Sequence, residues 1–212
     1  MKKQILYTGV DISHWQGKID FEKLSREIDF AILKLGGSDK TDFFYIDKNF
    51  EEYYNECKKY KIKTGCYWFA GQESYGSMSG KSEAAYVKAA IKNKSFELPI
   101  YLDFEKGSYD RRDANTSYCE TFCKSLEADH YFVGIYGSDI STFKHMLDYD
   151  KIKNRFSLWV ARYGHKPTYA TNYDVWQYTS KGQISGITGN VDIDFMYKNL
   201  PYIIVSKHFN NC

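Results

Sequence analysis

The sequence predicts an α/β barrel of a modified kind, with five βα units followed by three strands and few helices, and three observations carry the prediction. Apolar runs of strand length alternate with helix-period segments over the first 150 or so positions, as a βαβ series requires. After that the helices fade, and strands follow one another through Gly-, Thr- and Ser-rich loops. The third observation is the stretch 98–105, LPIYLDFE, where Ile100, Leu102 and Phe104 share one strand face and Tyr101, Asp103 and Glu105 the other. Carboxylates at the C-terminal end of a strand suit a parallel barrel, whose functional groups gather at that mouth. At 212 residues a single domain, 1–212, is expected, with the barrel at about 8–197 and a short C-terminal tail.

The elements follow in order. The first strand, 8–13, reads TGVDIS, with Val10 and Ile12 on one face and Gly9, Asp11 and Ser13 on the other. A helix is expected at 21–27, then a strand at 30–35. The helix at 47–60 shows its period plainly: Phe50, Tyr53, Tyr54 and Cys57 on one side, Glu51, Glu52, Asn55 and Lys58 outside it. Strand 64–70 (TGCYWFA), helix 80–94, strand 98–105 and helix 113–128 continue the alternation. Strand 132–136 (FVGIY) and helix 140–147 complete the βα series. Strands at 157–161 (SLWVA), 174–178 (DVWQY) and 190–194 (NVDID) close the set, the last placing Asp192 and Asp194 on a common face.

Composition removes several function classes. A net charge of +2 lacks the basic footprint of a nucleic-acid binder. No apolar run reaches membrane-spanning length, and the Ile5–Leu6–Tyr7 stretch after Met-Lys-Lys is too short for a signal-peptide core. The five cysteines, Cys57, Cys66, Cys119, Cys123 and Cys212, form neither a metal-type cluster with histidine nor a disulfide framework. No cofactor and no metal are expected, and the chain is expected to be a monomer. Aromatic residues make up 18% of the chain, with 20 tyrosines, and that excess suits a cleft that stacks on and hydrogen-bonds to a polar ligand. Carbohydrate, with an apolar C–H face and a polar rim, fits that description.

If the barrel closes, the first and last strands are neighbours, and Asp11 meets Asp192 or Asp194 near Asp103 and Glu105. Carboxylates crowded into one mouth cannot all ionise cheaply, so one pKa rises, which is what a general acid at neutral pH needs. The segments GVDISHWQG, GCYWFA, YLDFE, LWVARY and VWQYTSKGQISGITGNVDID, in that order, resemble glycoside hydrolase family 25, the Chalaropsis-type lysozymes, from about Gly9 to Met196. The resemblance implies the modified TIM-like barrel and hydrolysis of the β-1,4 bond between N-acetylmuramic acid and N-acetylglucosamine in peptidoglycan. By motif it also implies Asp11, Asp103, Glu105 and Asp192 as the acidic cluster. The chain departs from many members at Trp68, where they carry His. Action at the cell wall is expected, with any leader removed or the protein released by lysis.

Within that frame Glu105 is expected as general acid. Asp103 lies too near Glu105 in sequence to act as an independent nucleophile across the sugar ring. Its expected role is to hold the substrate's 2-acetamido group. Asp11 and Asp192 tune Glu105 and orient sugar or water, and Asp194 is expected to be a solvated neighbour. Tyr67, Tyr136, Trp159 and Gln177 are expected to contact sugar, while Phe69 packs the barrel. Arg162 reads as an ion-pair partner or as a contact for a peptide carboxylate. Two alternatives stay open at this level: a chitinase-like glycosidase on other N-acetylated glycans, and a catalytically silent glycan-binding barrel.

Overall fold

A computed structural model describes residues 4–40, 43–71 and 76–212. β1 (Tyr7–Ile12) leads through a 3₁₀ turn to α1 (Phe21–Leu24), β2 (Phe30–Lys40), β3 (Phe43–Ile46) and α2 (Phe50–Lys59). β4 (Lys63–Phe69), α3 (Gly76–Ile91), β5 (Ile100–Asp103) and α4 (Arg112–Glu127) follow. Then come β6 (Val133–Ser138), a π-helical turn at Ser141–Met146, α5 (Tyr149–Ile152) and β7 (Ser157–Ala161). β8 (Val175–Gly182), β9 (Val191–Met196) and α6 (Leu200–Ser206) complete the chain.

Eight of the strands close a ring in the order β1, β9, β8, β7, β6, β5, β4, β2, and β2 pairs back onto β1. β3 hangs outside the ring as an antiparallel hairpin on β2. Every pairing from β1 through β2, β4, β5, β6 and β7 to β8 is parallel. β9 is antiparallel to both of its neighbours. This is the expected modified barrel, with the predicted strands in place.

Strand alternation sorts the core into two layers. Val10, Ile12, Ala31, Leu33, Ile100, Leu102, Val133, Ile135, Leu158 and Val160 face outward, into a layer shared with the helices. Phe30, Ile32, Tyr101, Tyr136, Trp159, Val175 and Met196 fill the barrel itself. Two glycines make room inside. A methyl at Gly9 would lie 2.4 Å from the Phe30 carbonyl and 2.5 Å from its ring, and one at Gly134 would lie 2.3 Å from the Tyr101 ring.

Three features differ from the prediction. β3 is a short strand with no periodic run long enough to announce it. The expected helix at 140–147 is a π turn in which Leu147 N–H donates to the Thr142 carbonyl at 3.0 Å. The Thr142 hydroxyl reaches back to the Phe104 carbonyl, also at 3.0 Å, tying that turn to the residue before Glu105. The tail also carries structure: Leu200 and Ile204 of α6 pack with the barrel interior and plug its floor. Behind them Asn210 is fully buried; its side chain accepts from Phe132 N–H at 2.7 Å and donates to the Leu98 carbonyl at 2.8 Å. Residues just ahead of β5 and β6 are thereby fastened to the end of the chain. The Met-Lys-Lys start lies outside the described residues, among which no helix is long and apolar enough to cross a membrane.

Candidate active site

Register brings the acid-bearing strand ends level. Asp103 pairs with Phe69 on one side and Tyr136 on the other, while Asp11 pairs with Asp192 and Gly9 with Asp194 across β9. Since Val10, Ile12, Leu102 and Phe104 are taken into the outer layer, Asp11 and Asp103 must turn inward. Tyr67 lies in the field of Asp11, Asp103 and Asp192, and Tyr136 in that of Glu105, Asp103 and Asp11. The four acids Asp11, Asp103, Glu105 and Asp192 therefore share one mouth. Burial and the surrounding carboxylates hold both tyrosine hydroxyls well above their usual pKa, so they remain protonated donors.

The acids differ in environment. β5 ends at Asp103, so Glu105 stands two residues past the strand rather than on it, although Phe104 N–H still bonds the Tyr136 carbonyl at 3.0 Å. Asp103 is buried, whereas Glu105 opens to the cleft. Crowding by protein raises the Glu105 pKa; the neighbouring Tyr136 hydroxyl and the charges of Lys106 and Lys34 oppose that rise. Asp192 is raised to about 6, chiefly by burial, with Glu105 adding to it. Asp11 is raised well above the carboxylate range by burial and by the charges of Asp192 and Asp194.

A hydrogen-bonded relay crosses the mouth. The Tyr136 hydroxyl donates to Gln177 Oε1 at 2.8 Å, the Tyr163 hydroxyl reaches the same oxygen at 3.2 Å, and Gln177 Nε2 donates to Asp11 Oδ2 at 2.7 Å. Through Tyr136 and Gln177, Glu105 is thus linked to Asp11 on the far side of the barrel.

Several expectations need correction. Asp194 is not a solvated neighbour: it is completely buried, accepts from Trp159 Nε1 at 2.7 Å and hydrogen-bonds with Asp11. The cause is the reversed direction of β9, which sets Asp194 deeper than Asp192. Trp159 is no open stacking platform either. It is 1% exposed, with Tyr136, Tyr101 and Tyr67 against its rings at 4.2, 5.3 and 6.0 Å, so it forms the floor beneath the mouth. Tyr67 is half-buried, while Tyr136 and Gln177 show 6% and 3% exposure. Phe69 is half-buried rather than packed inside, with Lys34 and Lys106 over its ring at 4.9 and 5.5 Å. Trp68 faces outward and donates to the buried Glu83 of α3, so its difference from the family pattern lies behind the site. His14 pairs with Asp47 at 2.5 Å, and Arg162 with Asp139 at 3.5 Å.

Lys34 and Tyr163 were not picked out from sequence. Lys34 had a signal, since it interrupts the apolar run FAILKL at an inward-facing position, after Phe30 and Ile32. Among the described residues no group of three His, Cys, Asp or Glu is arranged to hold a metal ion.

Residues 10–187 match the sequence profile of "Glycosyl hydrolases family 25". The chain belongs to this family. Among curated relatives it is 25% identical to the autolytic lysozyme of Clostridium acetobutylicum and 26% identical to lysozyme M1 of Streptomyces globisporus. The alignments cover 88% and 87% of this chain but 54% and 65% of those proteins, so the chain spans little more than half to two-thirds of their length. Among solved structures, the catalytic domain of endolysin ply40 from bacteriophage P40 of Listeria monocytogenes superposes with a TM-score of 0.77 at 25% identity. That match covers 96% of this chain and 98% of the other. The CTP1L endolysin gives 0.79 at 26% identity, over 95% and 70%.

Proposed function

We propose that this chain is the catalytic unit of a lysozyme, an N-acetylmuramidase that hydrolyses the β-1,4 bond between N-acetylmuramic acid and N-acetylglucosamine in peptidoglycan. The observation that carries the reading is the meeting of Glu105, Asp103, Asp11 and Asp192 at the mouth of a family 25 barrel. Relatives that are an autolytic lysozyme and endolysins support it. Residues 1–212 act as one unit and as a monomer, at the cell wall.

Glu105 gives its proton to the leaving glycosidic oxygen, since its raised pKa favours the protonated form and its carboxyl opens to the cleft. The substrate's acetamido oxygen attacks the anomeric carbon from the other face, and Asp103 stabilises the positive charge that develops on the amide nitrogen. Water then opens the oxazolinium ion as Glu105 takes back a proton. Asp11, held by Gln177, and Asp192 set the field around Glu105 and orient water. Half-buried Tyr67 offers its hydroxyl to the sugar along the wall, while Tyr136 and Gln177, covered and bonded to each other, back that wall over the floor that Trp159 supplies.

Mass spectrometry of the products from purified walls tests the reading. Soluble fragments should carry N-acetylmuramic acid at the reducing end, and chitin oligomers should stay intact. Products ending in N-acetylglucosamine, or cleavage of chitin oligomers at a comparable rate, would give the site to another N-acetylated glycan. No release at all would leave a silent glycan-binding barrel.

A further inference from the structure

Beside Glu105 the mouth opens into a cavity of about 610 Å³, walled in part by Tyr109, Ser138, His145, Arg162 and Tyr163. The proposed hydrolysis needs Glu105 from this wall, but it has no use for a guanidinium and an imidazole. Arg162 is held by its backbone, whose N–H donates to the Gln177 carbonyl at 3.1 Å and whose carbonyl accepts from Trp176 Nε1 at 2.7 Å. Its side chain is 34% exposed, and its one ion pair among the described residues is a long one, Nη1 to Asp139 Oδ2 at 3.5 Å.

Asp139 does not depend on that contact. It is completely buried, and four other donors already serve it. Tyr169 and Ala170 N–H groups reach Oδ1 at 3.1 and 2.8 Å, while the Thr168 N–H and hydroxyl reach Oδ2 at 2.8 and 3.1 Å. An arginine carries five donors in a planar fork, and beside a carboxylate so supplied most of them are left to the cavity. Across from it, Tyr109 and His145 pack together at 5.9 Å and supply an aromatic wall.

N-acetylated sugar rings are neutral and offer a guanidinium no opposite charge. In peptidoglycan, charge beside the scissile bond comes from the peptide that muramic acid carries on its lactyl ether, whose acidic residues present carboxylates. We propose that this cavity is a peptide subsite, in which Arg162 receives a carboxylate of the muramic acid peptide while Tyr109 and His145 flank its backbone. The proposal rests on the muramidase reading and adds to it that the enzyme reads the peptide as well as the sugar.

The test compares kcat/KM for the wild type, Arg162→Gln and Arg162→Lys on three soluble glycan oligomers: with peptides bearing free carboxylates, with those carboxylates converted to carboxamides, and stripped of peptide with the exposed lactyl carboxyl also converted to a carboxamide. The wild type should favour free carboxylates over carboxamides by about tenfold, the scale of one charge-assisted hydrogen bond. Arg162→Gln should abolish that preference, mainly through KM, and Arg162→Lys should restore part of it. Equal losses for Arg162→Gln on all three substrates would reduce Arg162 to a support for the loop at 168–170 and overturn the proposal. A wild type that cleaves all three without preference would also overturn it, while leaving the muramidase reading intact. A wild type inactive on all three would defeat both.

Discussion

Glu105 and Asp103 sit two positions apart but live in different surroundings, one open to the cleft and the other buried. That contrast divides their labour, and substitution should expose it. Glu105→Gln keeps the shape but has no proton of useful acidity, so wall lysis should fall by about 10²-fold or more while the thermal midpoint holds. Near wild-type clearing by the folded variant would end the assignment. Asp103→Asn should cripple turnover through loss of the anion facing the oxazolinium ion, and products should keep their anomeric configuration; an adduct trapped on Asp11, Asp103 or Asp192 by a 2-fluoro sugar would instead point to a protein nucleophile. Asp192 offers a separate measurement. Its folded pKa of about 6, above the ordinary 3.8, means the folded state holds that proton from about pH 4 to 6. Wild-type stability should therefore decline as pH rises through that window, with the loss complete above pH 6. Asp192→Asn escapes the loss: it should match the wild type near pH 4 and gain up to about 6–12 °C in Tm above pH 6, since a rise from 3.8 to about 6 is about 3 kcal/mol and each kcal/mol is worth about 2–4 °C at this size. Equal midpoints at both pH values would remove the strain from Asp192.

At the scale of elements, the pattern of alternation was legible wherever a strand had one outward apolar set, as in β1 and β5. Period alone could not show that β5 ends before Glu105, because the single further bond from Phe104 N–H to the Tyr136 carbonyl does not lengthen the ladder. Nor could it show which inward residues are covered. Trp159 and Gln177 share the inward alternation with Tyr67, yet rings and hydrogen-bond partners from other strands cover the first two and leave Tyr67 half-open. Asp194 was misjudged because its level follows from the direction of β9. The tail was underestimated because seven helical residues carry little period, whereas their worth comes from what they cover. Asn210 sits at φ +56°, a backbone region that asparagine tolerates better than most residues, and its amide serves two strand starts. Asn210→Ala should cost about 2 kcal/mol or more, given two buried backbone groups left without partners, seen as a shifted urea midpoint with unchanged slope. A loss below about 0.5 kcal/mol, the range of an inert surface change, would mean that water serves those groups as well.

For the molecule as a whole, the relay from Glu105 through Tyr136 and Gln177 to Asp11 spans the barrel, so the field at the mouth belongs to several strands at once. Substitution of Gln177 by Leu should accordingly shift the pH profile of lysis as well as its rate, because Asp11 loses the donor that opposes its raised pKa. An unchanged profile would confine Gln177 to packing. The reversal of β9 has a further consequence, one of cabling. A last strand running parallel to its neighbours would deliver the chain to the mouth, and a crossover would have to carry it back. Running the other way, β9 enters at the mouth with Asp192 and leaves at the floor, where α6 and Asn210 anchor it. Tyr7, where β1 begins, pairs with Met196, where β9 ends, so the approach to the first strand and the exit from the last lie together on the side away from the cleft. A protein joined to either end by a flexible linker would hang from that side like a weight on a plumb line. Fusing a small folded domain after Cys212 should leave turnover of soluble glycan within about twofold of the parent, the spread expected of a tether that reaches neither the mouth nor the floor contacts.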